Sequence, residues 1–333
     1  MKRAALSAVV VLVLAACSPA DVASTTTTGS QPTTTEAPAS TTTTAPGTTT
    51  TTATTVQSGF PVSVNDDRGE VTIEERPEAI VSLSAVATEM LFEIGAGDQV
   101  VAVDDQSNYP EDAPMTDLSG FTPNLEAILA FDPDLVVITF DPGDLVAGLE
   151  AAEVPVILFG AAVTIEDVYR QISALGEATG NQEGATQANN TIEWGLADVL
   201  AGASDAGEGV TYFHEIDSTL YTATSDTFFG EIYGLFGMVN IADPADEDGA
   251  AFGYPQLSSE FIVSQDPDII FLTDTSYGVS AESVAERPGW DAMSAVQEGN
   301  IVELDSNIAS RWGPRIVEFA EAIARALRGL EES

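Results

Sequence analysis

The segment 125–139, Leu125-Glu126-Ala127-Ile128-Leu129 through Asp132-Pro133-Asp134 to Leu135-Val136-Val137-Ile138-Thr139, returns later in the chain as 259–273. A constant offset of 134 residues carries Glu126 onto Glu260, Ile128 onto Ile262, one Asp-Pro-Asp onto the other, and Thr139 onto Thr273. In each copy a short helix runs into a proline, which lacks an amide hydrogen and pushes the residue before it out of helical geometry. A run of apolar residues follows, the mark of a strand covered on both faces in a parallel sheet. Two such units so far apart predict two similar α/β lobes and not a solenoid, whose repeats recur at much shorter spacing.

The chain opens differently. Lys2 and Arg3 precede an apolar run from Ala4 to Leu14 that is too short for a stable membrane span, and Leu14-Ala15-Ala16-Cys17 supplies small residues for cleavage, so 1–16 reads as a signal peptide. Cys17 is the only cysteine, which leaves no internal disulfide framework and no multi-cysteine metal site. Residues 17–58 are mostly Thr, Ala, Pro, Ser and Gly, with too few apolar side chains to offset the entropy of ordering; this is a disordered tether of the kind that carries O-linked sugar.

About 270 residues remain, enough for one large or two medium domains. The whole chain carries −43; without 1–16, which hold Lys2 and Arg3 and no acid, it carries −45 from eight arginines and 53 acids, with no lysine. Such a surface disfavours nucleic acid and anionic lipid headgroups, and it also fits a saline habitat. Residues 62–64 and 70–73 flank a turn and predict a hairpin at a sheet edge. After it, strands at 79–83, 100–103, 135–138 and 156–159 alternate with helices at 86–94 and 145–152, the pattern of a mainly parallel sheet covered by helices. A helix beginning at Thr164, with acids in its first turn, is followed by one from about Gln182 to Leu200, roughly 30 Å long and able to cross between lobes. The second lobe is expected to hold strands at 210–213, 220–222 and 301–304, helices at 228–236 and 314–327, and the second copy of the repeat.

The stretches Arg76-Pro77-Glu78-Ala79-Ile80-Val81-Ser82-Leu83-Ser84, Ala87-Thr88-Glu89-Met90-Leu91-Phe92, Asn124-Leu125-Glu126-Ala127-Ile128, Asp132-Pro133-Asp134-Leu135-Val136 and Gly313-Pro314-Arg315 resemble the substrate-binding proteins of iron-siderophore and cobalamin ABC importers over residues 76–328. Leu14-Ala15-Ala16-Cys17 resembles a bacterial lipobox, which implies a lipid on Cys17 and an extracytoplasmic, membrane-anchored protein. The resemblance implies an α/β fold of two Rossmann-like lobes bridged by one rigid helix: a first lobe over 59–163, a helical bridge over 164–204 and a second lobe over 205–333. It implies ligand in the interlobe cleft, and docking of Glu126 and Glu260, one per lobe, onto arginines of a permease dimer that works with an ATPase. Two carboxylate–guanidinium bonds fix orientation as well as proximity.

Ligand contacts are expected from loops at the carboxyl ends of strands. The first lobe offers Asp104, Tyr109, Phe121 and Asp141 there, and the second offers His214, Tyr221, Tyr254, Tyr277, Arg311 and Trp312. By resemblance, Tyr254 supplies an aromatic wall and Arg311 a polar contact, while Gly120 stands where cobalamin binders carry an aromatic, with Phe121 next door to take its place. Aromatic faces suit a large metal chelate, and so acidic a cleft accommodates a neutral or cationic one more easily than an anion. A single histidine is too few for direct capture of a bare metal, and no resident cofactor is expected. Haem, with His214 or a tyrosine as axial ligand, is the alternative ligand. No Gly-x-Ser-x-Gly elbow, phosphate-binding loop or histidine relay suggests an enzyme, although a carboxylate hydrolase or a stalked adhesin would share this composition. The expectation is a monomeric receptor doing no covalent chemistry.

Overall fold

The computed structural model describes residues 59–203 and 206–331. The expected signal peptide, Cys17 and the tether lie outside the described residues. In the first half, the hairpin strands β1 (Val62–Asp66) and β2 (Gly69–Ile73) are followed by β3 (Ile80–Leu83), α1 (Ala85–Glu93), β4 (Val100–Asp104), β5 (Met115–Leu118), α2 (Leu125–Leu129), β6 (Leu135–Ile138), α3 (Leu145–Ala151) and β7 (Val156–Leu158). Two long helices follow, α4 (Ile165–Thr179) and α5 (Gln182–Gly202). The second half holds β8 (Thr211–Glu215), α6 (Phe228–Gly234), β9 (Val239–Asn240), α7 (Ser259–Gln265), β10 (Ile269–Leu272), α8 (Ala281–Ala285), α9 (Ser294–Glu298), β11 (Ile301–Glu303), α10 (Ser306–Ala309) and α11 (Ile316–Glu331).

The first lobe is built on a parallel sheet in the order β5-β4-β3-β6-β7, the second on a parallel sheet in the order β11-β10-β8-β9. The two copies of the repeat take equivalent places. Leu135 and Val137 of β6, like Ile269 and Phe271 of β10, face a central core shared with the long helices, whereas Val136 and Ile138, like Ile270 and Leu272, face the outer helices of their own lobe. Each helix of the repeat ends short of its proline, and Asp132 and Asp266 turn the chain with positive φ of 49° and 47°. The second aspartate of each motif then ties its strand to the neighbour. Asp134 accepts from Glu78 N and Ala79 N at 2.7 and 3.0 Å. Asp268 accepts from Thr211 N and Thr211 Oγ1 at 2.8 and 2.6 Å.

A capping box starts α4, with Thr164 Oγ1 accepting from Asp167 N and Asp167 Oδ2 accepting from Thr164 N. The bridging helix α5 spans about 30 Å at 1.5 Å per residue. It buries Ala185, Ala188, Ile192 and Leu196 and touches both α1 of the first lobe and α11 of the second. Gly184 permits the close approach: a Cβ there would run into the carbonyl oxygen of Ile94 at the end of α1.

Two expectations are corrected. The hairpin pairs only with itself and is not an edge of the larger sheet. Its turn meets β7 through a single backbone bond, Asp67 N donating to the Leu158 carbonyl at 3.1 Å, and through the Asp66 carboxylate, which accepts from Leu158 N at 3.0 Å while also holding Arg68, and not through a ladder. The strand expected at 220–222 is a one-residue bridge between Tyr221 and Gln256. Leu220 sits at φ 70°, and Asp217 takes both the amide and the hydroxyl of Thr219, closing a turn that breaks the run.

Candidate functional site

In each sheet the strand order reverses once, between β3 and β6 in the first lobe and between β8 and β10 in the second. Loops leaving the carboxyl ends on either side of such a point diverge and open a crevice, the general place for ligands in α/β sheets. The matched threonines of the repeat stand at both points. Thr139 Oγ1 donates to Ser84 Oγ at 2.6 Å, and Thr273 Oγ1 donates to the Glu215 carbonyl at 2.9 Å.

Beyond those threonines the two floors differ. In the first lobe a buried chain of hydroxyls, Ser82, Thr88 and Ser107, begins with Ser82 Oγ donating to the Ser84 carbonyl and ends with Ser107 Oγ donating to Asp104 Oδ1 at 2.6 Å. Burial pushes the Asp104 carboxyl above its ordinary pKa. In the second lobe the fully buried Glu215 is gripped by Arg287 through two bonds of 2.6 Å, and that guanidinium lies 4.6 Å over the Trp290 ring. Next to this pair is Asp274, 1% exposed, with neither carboxylate oxygen partnered. Burial, and then the charge of Glu215, push its pKa up to about 6.

Where the lobes meet, Glu89 of α1 is buried and receives two arginines of the second lobe. Arg311 Nη1 donates to its Oε1 at 2.8 Å, and Arg315 donates to both oxygens, Nε at 2.9 Å and Nη2 at 2.5 Å. Arg311 Nη2 also donates to the Gln106 carbonyl and to Asn307 Oδ1, each at 2.9 Å, while the Arg315 guanidinium stacks 4.1 Å over Tyr109. A carboxylate buried without such partners would carry a large desolvation cost; with two guanidinium forks it locks the seam.

This geometry redistributes the expected ligand residues. Phe121 is 63% exposed and stacks on Phe140 with ring centroids 5.5 Å apart, forming an aromatic face on the first lobe. Gly120 beside it has no room for a side chain, since a Cβ would stand 2.6 Å from the Leu83 carbonyl oxygen and 2.9 Å from Asp104 Oδ2. Tyr221 and Tyr254 are half-exposed on neighbouring loop segments, joined by the bridge at Gln256 and by Thr222 N donating to the Pro255 carbonyl. Tyr277 is 75% exposed after β10. Tyr109 lies at the seam against Arg315 and does not join either aromatic group. Asp141 is exposed and caps Val146 N.

Three of the expected contacts are buried or already engaged, and a fourth, Trp312, is half-buried. His214 is 0% exposed, its Nδ1 paired with the Tyr233 hydroxyl at 2.9 Å, and desolvation lowers its pKa to about 3, so it serves as a neutral core residue and cannot reach a haem iron. Asp104 is buried against Ser107 and the Gly120 turn. Trp312 packs against the central core. Arg311 spends its guanidinium on Glu89, Gln106 and Asn307. Residue-type reasoning missed Glu89, Glu215 and Asp274, although a lone acid between Thr88 and Met90 in an apolar helix run signals a buried carboxylate in need of a cation. Among the described residues no three His, Cys, Asp or Glu side chains converge as a metal ion would require.

Glu126 and Glu260 each occupy the second position of their helix, α2 behind the N-cap Asn124 and α7 behind the N-cap Ser258. Both are exposed, and neither forms a salt bridge among the described residues. A concavity of about 630 Å³, lined by residues that include Met115, Leu118, Ala127 and Phe131, lies beside α2 within the first lobe and is not the interlobe crevice.

The chain matches the family model for periplasmic binding protein over residues 80–308. It is 31% identical over 278 residues to the ABC transporter substrate-binding lipoprotein YvrC of Bacillus subtilis, covering 80% of this chain and 86% of the relative. It is 33% identical over 281 residues to the cobalamin-binding protein of Halobacterium salinarum, covering 80% and 74%. Among solved structures it resembles the periplasmic vitamin B12 binding protein BtuF of Vibrio cholerae with a TM-score of 0.63 and 26% identity, over 77% of this chain and 98% of that one.

Proposed function

The chain belongs to the periplasmic binding protein family, and from that premise we propose that it is the extracytoplasmic receptor of an ABC importer, capturing a metal chelate of the ferric siderophore or corrinoid class in the crevice between its lobes and passing it to the permease. The observation that carries the reading is the pair Glu126 and Glu260: two exposed, unpaired glutamates at the same position of the same motif, one per lobe. A chain with 53 acids has many solvated carboxylates, but a duplicated one offers two anchor points to a two-fold partner. The exposed aromatics Phe121, Phe140, Tyr221, Tyr254 and Tyr277, all on loops beyond strand ends, suit the apolar faces of such a ligand. Of the two relatives, one is by name an ABC transporter substrate-binding lipoprotein and the other a cobalamin-binding protein, and the role proposed here involves no covalent chemistry.

In this reading the protein acts as a monomer held to the membrane by lipid on Cys17, with 17–58 as its tether, 59–163 and 205–333 as its lobes and 164–204 as the bridge between them. The test is a paired measurement on the double variant Glu126→Ala, Glu260→Ala. Uptake of the chelate should be abolished while equilibrium binding to the isolated protein is unchanged. Loss of binding instead would place these glutamates at the ligand and remove them from docking, and undiminished uptake would remove the docking role altogether. In the same cells, Cys17→Ser should move the protein from the membrane fraction to the medium or the periplasm.

A further inference from the structure

The chemistry of the crevice can be pushed to the charge of what it holds. The carboxyl-end loops carry Asp105, Asp141, Asp217 and Asp305, each exposed or half-exposed, together with the unpartnered Asp274. Cations on the same loops or against them are Arg287, Arg311 and Arg315, and each is already spent. Arg287 is neutralised by Glu215 with bidentate geometry, while Arg311 and Arg315 converge on Glu89 and give further donors to Gln106 O, Asn307 Oδ1 and Asn307 O. The clamp leaves one surplus positive charge, which four solvated aspartates outweigh.

The remaining five arginines after residue 16 are elsewhere. Arg68 and Arg170 serve Asp66 and Asp67 at the hairpin, Arg76 serves Gln99, and Arg325 and Arg328 stand exposed near the end of α11. No lysine follows Lys2, and His214 is a neutral core residue. An anionic ligand entering this crevice would therefore meet carboxylates with no guanidinium left to pair, in a partly desolvated space where like charges cost most.

We propose that this crevice sorts its cargo by charge, taking neutral or cationic chelates and turning away polyanionic ones, an inference that rests on the receptor reading above. The acceptable class comprises chelates whose ligand charges just balance the metal, such as three hydroxamates on Fe³⁺, and corrinoids whose amide side chains carry no charge. A tris-catecholate of Fe³⁺, with three surplus negative charges, and haem, with two propionates, fall outside it. Glu89 is the selecting residue at one remove: by occupying Arg311 and Arg315 it withholds from the ligand the donors that would recognise a carboxylate or catecholate.

Calorimetric titration of the whole protein decides this with four probes: aquacobalamin, a ferric trihydroxamate bearing one ammonium group, a ferric tris-catecholate and haem. Polyanion binding roughly 100-fold or more weaker than binding of at least one of the first two supports the proposal, and added salt should weaken the cationic hydroxamate complex. A polyanion bound within roughly 100-fold of the tighter of the first two, or more tightly, overturns the charge rule and leaves the receptor standing. Binding of none of the four overturns the receptor reading together with this one. Glu89→Gln, which frees one guanidinium fork, should shift the anion-to-cation affinity ratio by roughly tenfold toward anions; a folded variant with an unchanged ratio would show that the clamp is not what excludes them. Should that variant fail to fold, the wild-type titrations alone settle the outcome.

Discussion

The two lobes are alike up to the last residue of the repeated strand and unlike from the next residue on. Asp134 and Asp268 each tether their strand through two hydrogen bonds, from two backbone amides in the first lobe and from the amide and hydroxyl of Thr211 in the second, and Thr139 and Thr273 each stand at their own lobe's switch point. One position further, the first lobe has Phe140, exposed and stacked on Phe121, whereas the second has Asp274, buried without a partner. The motif thus fixes how strands are joined, and the floor beyond it is where each half of the crevice acquires its own character. One half offers aromatic surface over neutral hydroxyls; the other offers tyrosines over carboxylates.

The strongest challenge to the likeness is to break the docking glutamates one at a time. If the lobes engage a two-fold permease equivalently, Glu126→Ala and Glu260→Ala should each cut transport by roughly 10- to 100-fold, the worth of one charge-assisted bond, with ligand affinity unmoved. A silent change at one site and a complete loss at the other would show that only one lobe docks.

Stability separates the shared parts from the private ones. Gly120→Ala should cost about 1–3 kcal/mol in denaturant unfolding, because its Cβ has to displace the Leu83 carbonyl or the Asp104 carboxylate. Asp134→Ala and Asp268→Ala should be smaller and nearly equal, about 1–2 kcal/mol each, since both remove a carboxylate that accepts two hydrogen bonds at the surface. Unequal costs at those two aspartates would mean that the repeat is a likeness of sequence and not of mechanics.

Those equal elements are also what could be read from residues alone. An apolar run after Asp-Pro-Asp specifies a buried strand, and Gln182 to Gly202 forms the crossing helix expected from about Gln182 to Leu200. Strands β5 and β9 were not legible: Met115-Thr116-Asp117-Leu118 and Val239-Asn240 are short edge strands, half polar, whose pairing is set by the neighbour and not by their own pattern. Phe121, Tyr221, Tyr254 and Tyr277 were legible as surface because they sit in loops, whereas Phe140, the first residue after the repeat, was not. Arg311 was not, since an arginine after a strand looks the same in sequence whether it faces a ligand or a buried acid two hundred residues away. Nor was His214, whose neighbours Tyr212 and Phe213 share its burial and mark a core strand more than a crevice.

The subtlest contrast is the proton at Asp274. Glu215 and Arg287 face it, and its folded-state pKa of about 6 lies above the ordinary aspartate value, so the folded protein holds this proton more tightly than the unfolded chain does. The stabilisation it gives is complete below the unfolded pKa near 4 and is lost as pH rises through about 6. Unfolding free energy should therefore decline by on the order of 1–2 kcal/mol more between pH 5 and pH 7.5 in the wild type than in Asp274→Asn. That variant keeps the shape, offers an amide N–H to Glu215 at every pH, and should be the more stable protein at pH 7.5. Phe140→Asn, at the matching place in the first lobe, should leave the pH slope as it was, because the hydroxyl chain beneath it ends in Asp104, which it does not touch. Parallel slopes for the wild type and Asp274→Asn would assign the acid dependence to Asp104, whose burial raises its pKa in the same direction, and would move the titrating group from the second lobe to the first.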